Sequence, residues 1–303
     1  MLQAVQQYFR ELSEAIGDSW NRFWFTPSSD GRLICLRQIV ASFAFVWLLS
    51  FTAELTAMFG ENGWVSSGAV HRISTDGDLA SPTPGFSHLF LLQSPTWLWI
   101  WHAVGLAIVG CSVVGVASRY TTPLSLFVVL SYVHRAPMMT TTFETVLCFL
   151  LMYVSLGVNS MSFLPWRKSG FRETRHWVTN VALRLIQVHL CAIYLLIAAS
   201  KIGTSVWWSG DATWYLLTDA QHRLVELEVI TGNTYLFNAI THGWLGFELL
   251  FPVLVWVRPL RPLVLMLSVV LWVFAAVVTG QVGYCLLMAA ASIAFISPQR
   301  IGD

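Results

Sequence analysis

The sequence predicts an all-α protein, a polytopic bundle of about eight transmembrane helices with both termini on the inner side of the membrane. Three observations carry this prediction. Of the 303 residues, 56% are hydrophobic and only 11% are charged, whereas soluble domains contain roughly 25% charged residues. Apolar stretches recur at lengths close to the about 20 residues that a helix needs to cross the hydrocarbon core. The Lys and Arg residues, in addition, divide unequally between the two sides of such a bundle.

The first 30 residues are predicted to form a unit of their own. Leu2, Phe9 and Ile16 belong to an apolar series that recurs every three or four residues, and charged residues such as Glu11 and Asp18 lie between its members. This pattern is typical of an amphipathic helix that lies in the membrane interface. Residues 1–30 are therefore predicted to be an interfacial helix, and residues 31–303 the transmembrane domain.

Eight later stretches are long enough, or nearly so, to cross the bilayer. They are residues 38–57, 97–117, 121–135, 143–164, 180–201, 237–257, 260–278 and 282–298. Two outer connections, 58–96 and 202–236, are long, while the inner ones are short except for 165–179. Binding residues concentrate in long loops, so the sequence places function on the outer side.

The cationic residues test this arrangement without reference to hydropathy. With the N terminus inside, thirteen of the 17 Lys and Arg residues fall on the inner side. The outer four are Arg72, Arg135, Lys201 and Arg223. Such a bias marks the cytoplasmic loops of membrane proteins. We therefore predict a multi-pass protein of the plasma membrane, with the lipid bilayer as its surroundings and both termini in the cytoplasm.

Composition also bears on partners and cofactors. A net charge of +1 gives no basis for a nucleic-acid partner. The cysteines show no Cys-x-x-Cys spacing and are interpreted as small core residues, so neither a disulfide nor a metal site is predicted. They are Cys35, Cys111, Cys148, Cys191 and Cys285. No zinc-type His-x-x-x-His spacing and no Gly-x-Ser-x-Gly nucleophile motif occurs either.

Polar residues at helical spacing mark one face of three predicted spans. These faces comprise Arg184, Gln187, Cys191, Tyr194, Ala198 and Lys201; Glu144, Cys148, Met152, Ser155 and Asn159; and Asn238, His242, Leu245, Glu248 and Pro252. Ionisable residues within a bilayer are costly and usually functional. We therefore predict one outward-opening cavity bounded by Lys201, Glu144, His134, Arg135, His242 and Glu248.

Two other interpretations of these residues stay open. Glu248 with Lys201, or Glu144 with Arg135, could be buried ion pairs that fix how the helices pack. The polar faces could also line a conduction path. Three further histidines, His102, His189 and His222, are interpreted as single, hydrogen-bonded residues rather than metal ligands.

Seven segments together carry a resemblance to a known family. They are RLICLRQIVASFAFVWLL (32–49) with MFGENGW (58–64), SYVHRAP (131–137), FETVLCFLLMYVSLGVNS (143–160), LRLIQVHLCAIYLLIAASK (183–201), WWSGDATWY (207–215) and FELLFPVLVWVRPLRP (247–262). In this order they resemble the HTTM domain, the membrane part shared by vitamin K-dependent gamma-carboxylases and many small bacterial proteins. The resemblance covers residues 30–298. Its most specific piece is the helix that ends in Ser200-Lys201, followed by a Trp-x-x-Gly sequence.

The resemblance implies a chemistry for Lys201. In the carboxylases the lysine at this position is the base that deprotonates reduced vitamin K, and a histidine that assists it falls at Glu144 here. By this analogy Lys201 is a base acting on a quinol-like or lipid-borne substrate, and a quinone or reduced vitamin K-like molecule is the implied cofactor. For an enzyme of this kind we predict His134, His242 or Glu144 as the proton partner of Lys201, and Arg135, Tyr194, Glu248 and Trp208 as substrate-binding residues.

A non-catalytic role is the alternative. The protein would then bind lipid or quinone, or assist the maturation of a secreted peptide, as some small family members are linked to doing. The distance from the Lys201 ammonium to the nearest carboxylate, that of Glu144 or Glu248, separates these interpretations. A partly desolvated lysine can supply a neutral amine, whereas pairing with Glu144 or Glu248 would keep Lys201 charged, as an anchor or an anion-binding group.

Overall fold

The computed structural model describes residues 2–61, 63–64, 87–92, 94–157, 175–221, 223–225 and 228–296, and this part of the chain is predominantly α-helical. The helices are α1 (Leu2–Phe25), α2 (Gly31–Ser50), α3 (Leu55–Phe59), α4 (Pro95–Val114), α5 (Ser118–Arg135), α6 (Thr142–Gly157), α7 (Trp177–Ile202), α8 (Ser205–Ser209), α9 (Ala212–Thr218), α10 (Glu228–Thr231), α11 (Thr234–Leu254), α12 (Arg261–Thr279) and α13 (Val282–Ala291). Short 3₁₀ helices occupy His88–Leu91, Pro137–Met139 and Ser292–Phe295. One strand pair joins Ser28–Ser29 to Arg175–His176, antiparallel.

Four of these helices, α2, α4, α7 and α12, are long and apolar enough to cross a membrane, and α6 and the segment 282–295 are shorter apolar helices. The predicted all-α membrane protein is thus confirmed at this level. Each of the eight predicted spans overlaps a helix, although residues 158–164 of the fourth span and 297–298 of the last lie outside the described residues. In α7, the polar face predicted from spacing lies in the protein interior, with Gln187, Cys191, Tyr194 and Ala198 all buried.

The first span begins earlier than hydropathy predicts. The sequence places it at 38–57, but α2 covers Gly31–Ser50 and a turn precedes α3. Two arginines account for the shift. Arg32 donates to the carbonyl oxygens of Ala294 and Ile296 at 3.1 and 2.9 Å, and the buried Arg37 donates to Ser112 O at 2.7 Å. Their charges are hydrogen-bonded inside the bundle, so they do not mark a helix boundary.

Side-chain contacts show how successive helices run. Arg37 near the start of α2 meets Ser112 near the end of α4, so these two helices are antiparallel. At the opposite end of the bundle, His102 of α4 bonds Thr52 and Tyr132, both at 2.9 Å. Lys201 at the end of α7 likewise meets α11. The helix direction therefore alternates, and the C-terminal ends of α2, α5 and α7 share one end of the bundle.

The N-terminal helix α1 agrees with the predicted interfacial segment 1–30 in position. Its described side chains from Gln6 to Arg22 are exposed, and its C-terminal end attaches to α7. Asn180 Nδ2 donates to the carbonyl oxygens of Phe23 and Trp24, both at 2.8 Å. The Arg184 guanidinium lies over the Phe23 ring, 4.3 Å from its centroid.

Several sequence predictions fall outside the described residues. They are the turn-rich segments at 74–78 and 81–85, most of the inner loop 165–179, Arg72, Asn159 and His222. The polar face predicted for α6 is only partly correct. Glu144 is buried, but Met152 is 37% exposed, because α6 turns that side away from its neighbours.

Candidate functional site

The charged pair of Lys201 and Glu248 is the centre of the candidate site. Lys201, the penultimate residue of α7, donates from Nζ to Glu248 Oε1 on α11 at 2.7 Å. The Glu248 side chain is 1% exposed and that of Lys201 is 13% exposed. Of the two ion pairs considered from the sequence, the structure therefore contains this one. It joins two residues that are 47 positions apart in the sequence and lie on different helices.

Two tryptophans surround this pair. Trp244, one helical turn before Glu248, donates from Nε1 to Glu248 Oε1 at 2.8 Å. The Lys201 ammonium lies 4.1 Å from the ring centroid of Trp207 and 4.3 Å from that of Trp244. Such contacts stabilise a cation by about 0.5–2 kcal/mol each. Three separate contacts therefore offset part of the cost of burying the Lys201 charge.

The second carboxylate oxygen of Glu248 differs from the first. Oε2 is buried and has no hydrogen-bond partner among the described residues, whereas Oε1 accepts from both Lys201 and Trp244. An unsatisfied buried acceptor costs about 1–3 kcal/mol. Such a group in a native fold needs a partner or a function.

Tyr194 lies deeper in the bundle than the pair. Its hydroxyl accepts from Trp272 Nε1 at 2.6 Å and bonds Ser268 Oγ at 2.7 Å, and its side chain is fully buried. The ring stacks on Phe251 with centroids 3.9 Å apart. The hydroxyl is thus occupied by the protein itself, and Tyr194 supports the floor of the site.

His242 and Trp208 form the outer cover of the site. The Trp208 carbonyl oxygen is 3.3 Å from His242 Nε2, and the Trp208 indole donates to Ile202 O at 2.7 Å. The first turns of α11 therefore extend beyond the end of α7 and pack against α8 and α9, where Thr241 Oγ1 also bonds Thr213 Oγ1 at 2.8 Å.

Gly210 explains the Trp-x-x-Gly sequence that follows Lys201. Its φ is +86°, a left-handed conformation, and an added Cβ would lie 1.8 Å from Asn238 Oδ1 and 2.8 Å from His242 Cε1. Only glycine fits this backbone and this gap. The motif therefore allows the chain to turn and the cover to close on α11.

Glu144, the other predicted carboxylate, lies in a different part of the same end. Its Oε1 accepts from Trp47 Nε1 at 3.0 Å, and its Oε2 accepts from Thr141 N and Thr141 Oγ1 at 2.7 and 2.5 Å. The predicted alternative pair of Glu144 with Arg135 does not form. Arg135 donates instead to Phe59 O at 3.4 Å and covers the Phe90 ring, 4.8 Å from its centroid.

The six residues of the predicted shared cavity therefore divide into separate groups. Lys201 and Glu248 form one group, and His242 lies in the cover above it. Glu144 forms a second group. Among the described residues, no hydrogen bond or ion pair joins Arg135 to either group. His134 is half-buried beside Arg135. His102 and His189 are hydrogen-bonded single residues, the latter to the Tyr153 hydroxyl at 2.7 Å.

Sequence reasoning missed the tryptophans that complete the two groups. Trp244 lies four residues before Glu248 and so shares its helical face, which was a readable signal. The sequence Thr141-x-x-Glu144 is likewise a capping-box pattern. Trp47 and Trp207 come from distant segments and gave no such signal.

Comparison of the chain with models of protein families, with curated proteins and with solved structures finds no match.

Proposed function

We propose that this protein is a small HTTM-type membrane protein that binds a lipid-borne compound of the quinol class at the Lys201–Glu248 pair. One observation carries the proposal: in the part of the chain that the structure describes, the buried Glu248 Oε2 lacks a hydrogen-bond donor. A phenolic hydroxyl is a suitable donor for this oxygen, and its ring suits the tryptophan walls formed by Trp207 and Trp244.

In this proposal Lys201 is a charged anchor. Its ammonium keeps Glu248 ionised, and the carboxylate in turn accepts the hydroxyl proton of the ligand in a hydrogen bond. The pair is held at 2.7 Å, so its geometry exists before the ligand arrives. Preorganisation of this kind lowers the cost of binding.

The enzymatic alternative gives Lys201 the role of a base, as the resemblance implies. A charged lysine cannot take up a proton, so this role first requires transfer of one proton from Nζ to the Glu248 carboxylate. The neutral amine could then remove the hydroxyl proton of a quinol. The third possibility, assistance in maturing a secreted peptide, is supported by the resemblance alone.

We also propose that all eight predicted helices cross the plasma membrane, with both termini in the cytoplasm. The alternating helix direction supports this arrangement. So does the charge at the end of the bundle predicted to be internal, where Arg32, Arg184 and Arg261 each donate to a backbone carbonyl. The Lys201 site then opens toward the outer side.

The test compares a quinol with a matched ligand that has no donor. Purified protein in detergent is titrated with duroquinol and with its dimethyl ether, and binding is measured by calorimetry. We expect the quinol to bind at least tenfold more tightly, and Glu248→Leu to abolish the difference. Equal binding of the two ligands by the parent protein would refute the proposal.

Two substitutions at Lys201 separate the anchor from the base. Arg keeps the positive charge but cannot supply a neutral amine, whereas Ala removes both. Lys201→Arg should therefore retain quinol binding, and Lys201→Ala should lose it. If Lys201→Arg binds quinol but is inactive in a phenotype that the parent gene supports, Lys201 acts as a base on the bound molecule.

A further inference from the structure

A second cavity lies at the same end of the bundle, where α2, α5 and α6 meet. Its volume is about 150 Å³. The aromatic rings of Trp47, Phe51, Phe59 and Tyr132 line it, and Glu144 is its charged residue. A dry cavity of this size in another protein accommodates a benzene molecule. The space is therefore sufficient for a compact organic group and too small for a folded segment of a partner.

The Glu144 carboxyl group at this cavity has no cationic partner among the described residues. Glu144 is 8% exposed and acts as the acceptor in three hydrogen bonds. The donors are Trp47 Nε1, Thr141 N and Thr141 Oγ1. Donors stabilise the charged form of a carboxylate. In the described part of the chain, the ion pairs are Arg10 with Glu14 and Lys201 with Glu248, and neither includes Glu144. One of its roughly four lone-pair positions is still free.

The aromatic walls suit a cation as well. The rings of Phe51 and Tyr132 are parallel, with centroids 5.9 Å apart, and Phe59 meets both edge-on at 5.4 and 5.3 Å. Trp47 serves both as a wall and as a donor to Glu144. Aromatic rings recognise alkylammonium ligands because the faces of the rings are electronegative, and a carboxyl group in the same cavity adds a partner of opposite charge.

We infer that this cavity binds an organic ammonium group, with the cation against Glu144 and its alkyl groups against the aromatic rings. The ammonium could come from the choline or ethanolamine head group of a lipid, or from a free amine. The inference does not depend on the proposed quinol site, because it uses a different carboxylate, and no hydrogen bond or ion pair among the described residues joins Glu144 to Lys201.

The first experiment compares choline with its neutral isostere. Purified protein in a detergent free of ammonium groups is titrated calorimetrically with choline chloride and with 3,3-dimethylbutan-1-ol, which has the same shape without the charge. We expect choline to bind at least tenfold more tightly. Equal affinities, or no binding of choline at all, would overturn the inference.

Two variants locate the binding in this cavity. Glu144→Gln removes the charge but keeps the helix cap, since Gln can replace Glu in a capping box. It should reduce choline affinity at least tenfold, with little change in melting temperature. Ser50→Phe adds a ring from an exposed position on the cavity wall and should block choline while the quinol titration is unchanged. Parent-like affinity in both folded variants would contradict the assignment.

The source of the ammonium is decided with lipid. The protein is placed in nanodiscs of equal parts phosphatidylcholine and phosphatidylglycerol, and the retained lipid is identified by native mass spectrometry. Phosphatidylcholine retained by the parent and lost in Glu144→Gln would identify a lipid head group. Choline binding without lipid retention would identify a free amine. Both results support the ammonium site.

Discussion

Removing the Glu248 carboxylate should destabilise the protein, and the structure gives the size of the effect. Glu248→Leu leaves Lys201 without its anion, and breaking a buried ion pair costs about 3–5 kcal/mol. The low end applies, because Lys201 is still 13% exposed and keeps both tryptophan rings. Trp244 Nε1 also loses its acceptor, which adds about 1 kcal/mol. We expect a total loss near 4 kcal/mol.

The double variant Lys201→Met with Glu248→Leu tests the reasoning further. Both charges are then absent, and replacing a buried pair by apolar residues is often neutral or stabilising. Only the unpaired Trp244 indole should be left, so the loss should fall to about 1 kcal/mol. The double variant should therefore be about 3 kcal/mol more stable than Glu248→Leu alone, whereas substitutions at independent sites would simply add.

The assay is reversible unfolding in detergent micelles, with SDS as the denaturant and helix content as the signal. Glu248→Gln is the matched variant, because it retains an acceptor for Trp244 while removing the charge, and it should lie between the parent and Glu248→Leu. A Glu248→Leu protein as stable as the parent, or a double variant less stable than Glu248→Leu, would refute the ion pair.

Three further predictions follow from other parts of the fold. Gly210→Ala should lower stability by more than about 2 kcal/mol, since left-handed strain of about 1–2 kcal/mol adds to the clash with Asn238. Gly243→Ala is the control and should be neutral or slightly stabilising, because no atom lies within 4 Å of its added Cβ. Equal melting temperatures of these two variants would contradict the prediction. Tyr194→Phe should cost about 1–3 kcal/mol by leaving Trp272 Nε1 without its acceptor, and Tyr235→Phe, at an 89% exposed position, is its control in the same melting experiment. Cysteines introduced at Tyr235, at the start of α11, and at Arg258, just beyond its end, should react oppositely with an impermeant thiol reagent in intact cells, and similar labelling of both would exclude a membrane-crossing α11.

The sequence by itself determined the class of the fold and the buried face of α7. Composition and segment length were sufficient for the first, because a bilayer requires long apolar helices whatever their neighbours are. Spacing was sufficient for the second, since Gln187, Cys191 and Tyr194 advance by about one turn and α7 has neighbours on that side. The same reasoning failed at Met152, where α6 has no such neighbour.

Only the tertiary structure decided which charges meet. Glu144 and Glu248 are equally plausible partners of Lys201 in the sequence, because spacing along one helix does not say which other helix lies opposite. The offset between α7 and α11 brings Glu248 to Lys201, while α2 brings Trp47 to Glu144. Helix offset and choice of neighbour depend on packing over the whole bundle. One predicted cavity therefore became two sites, an ion pair at Lys201 and a carboxylate without a counterion at Glu144.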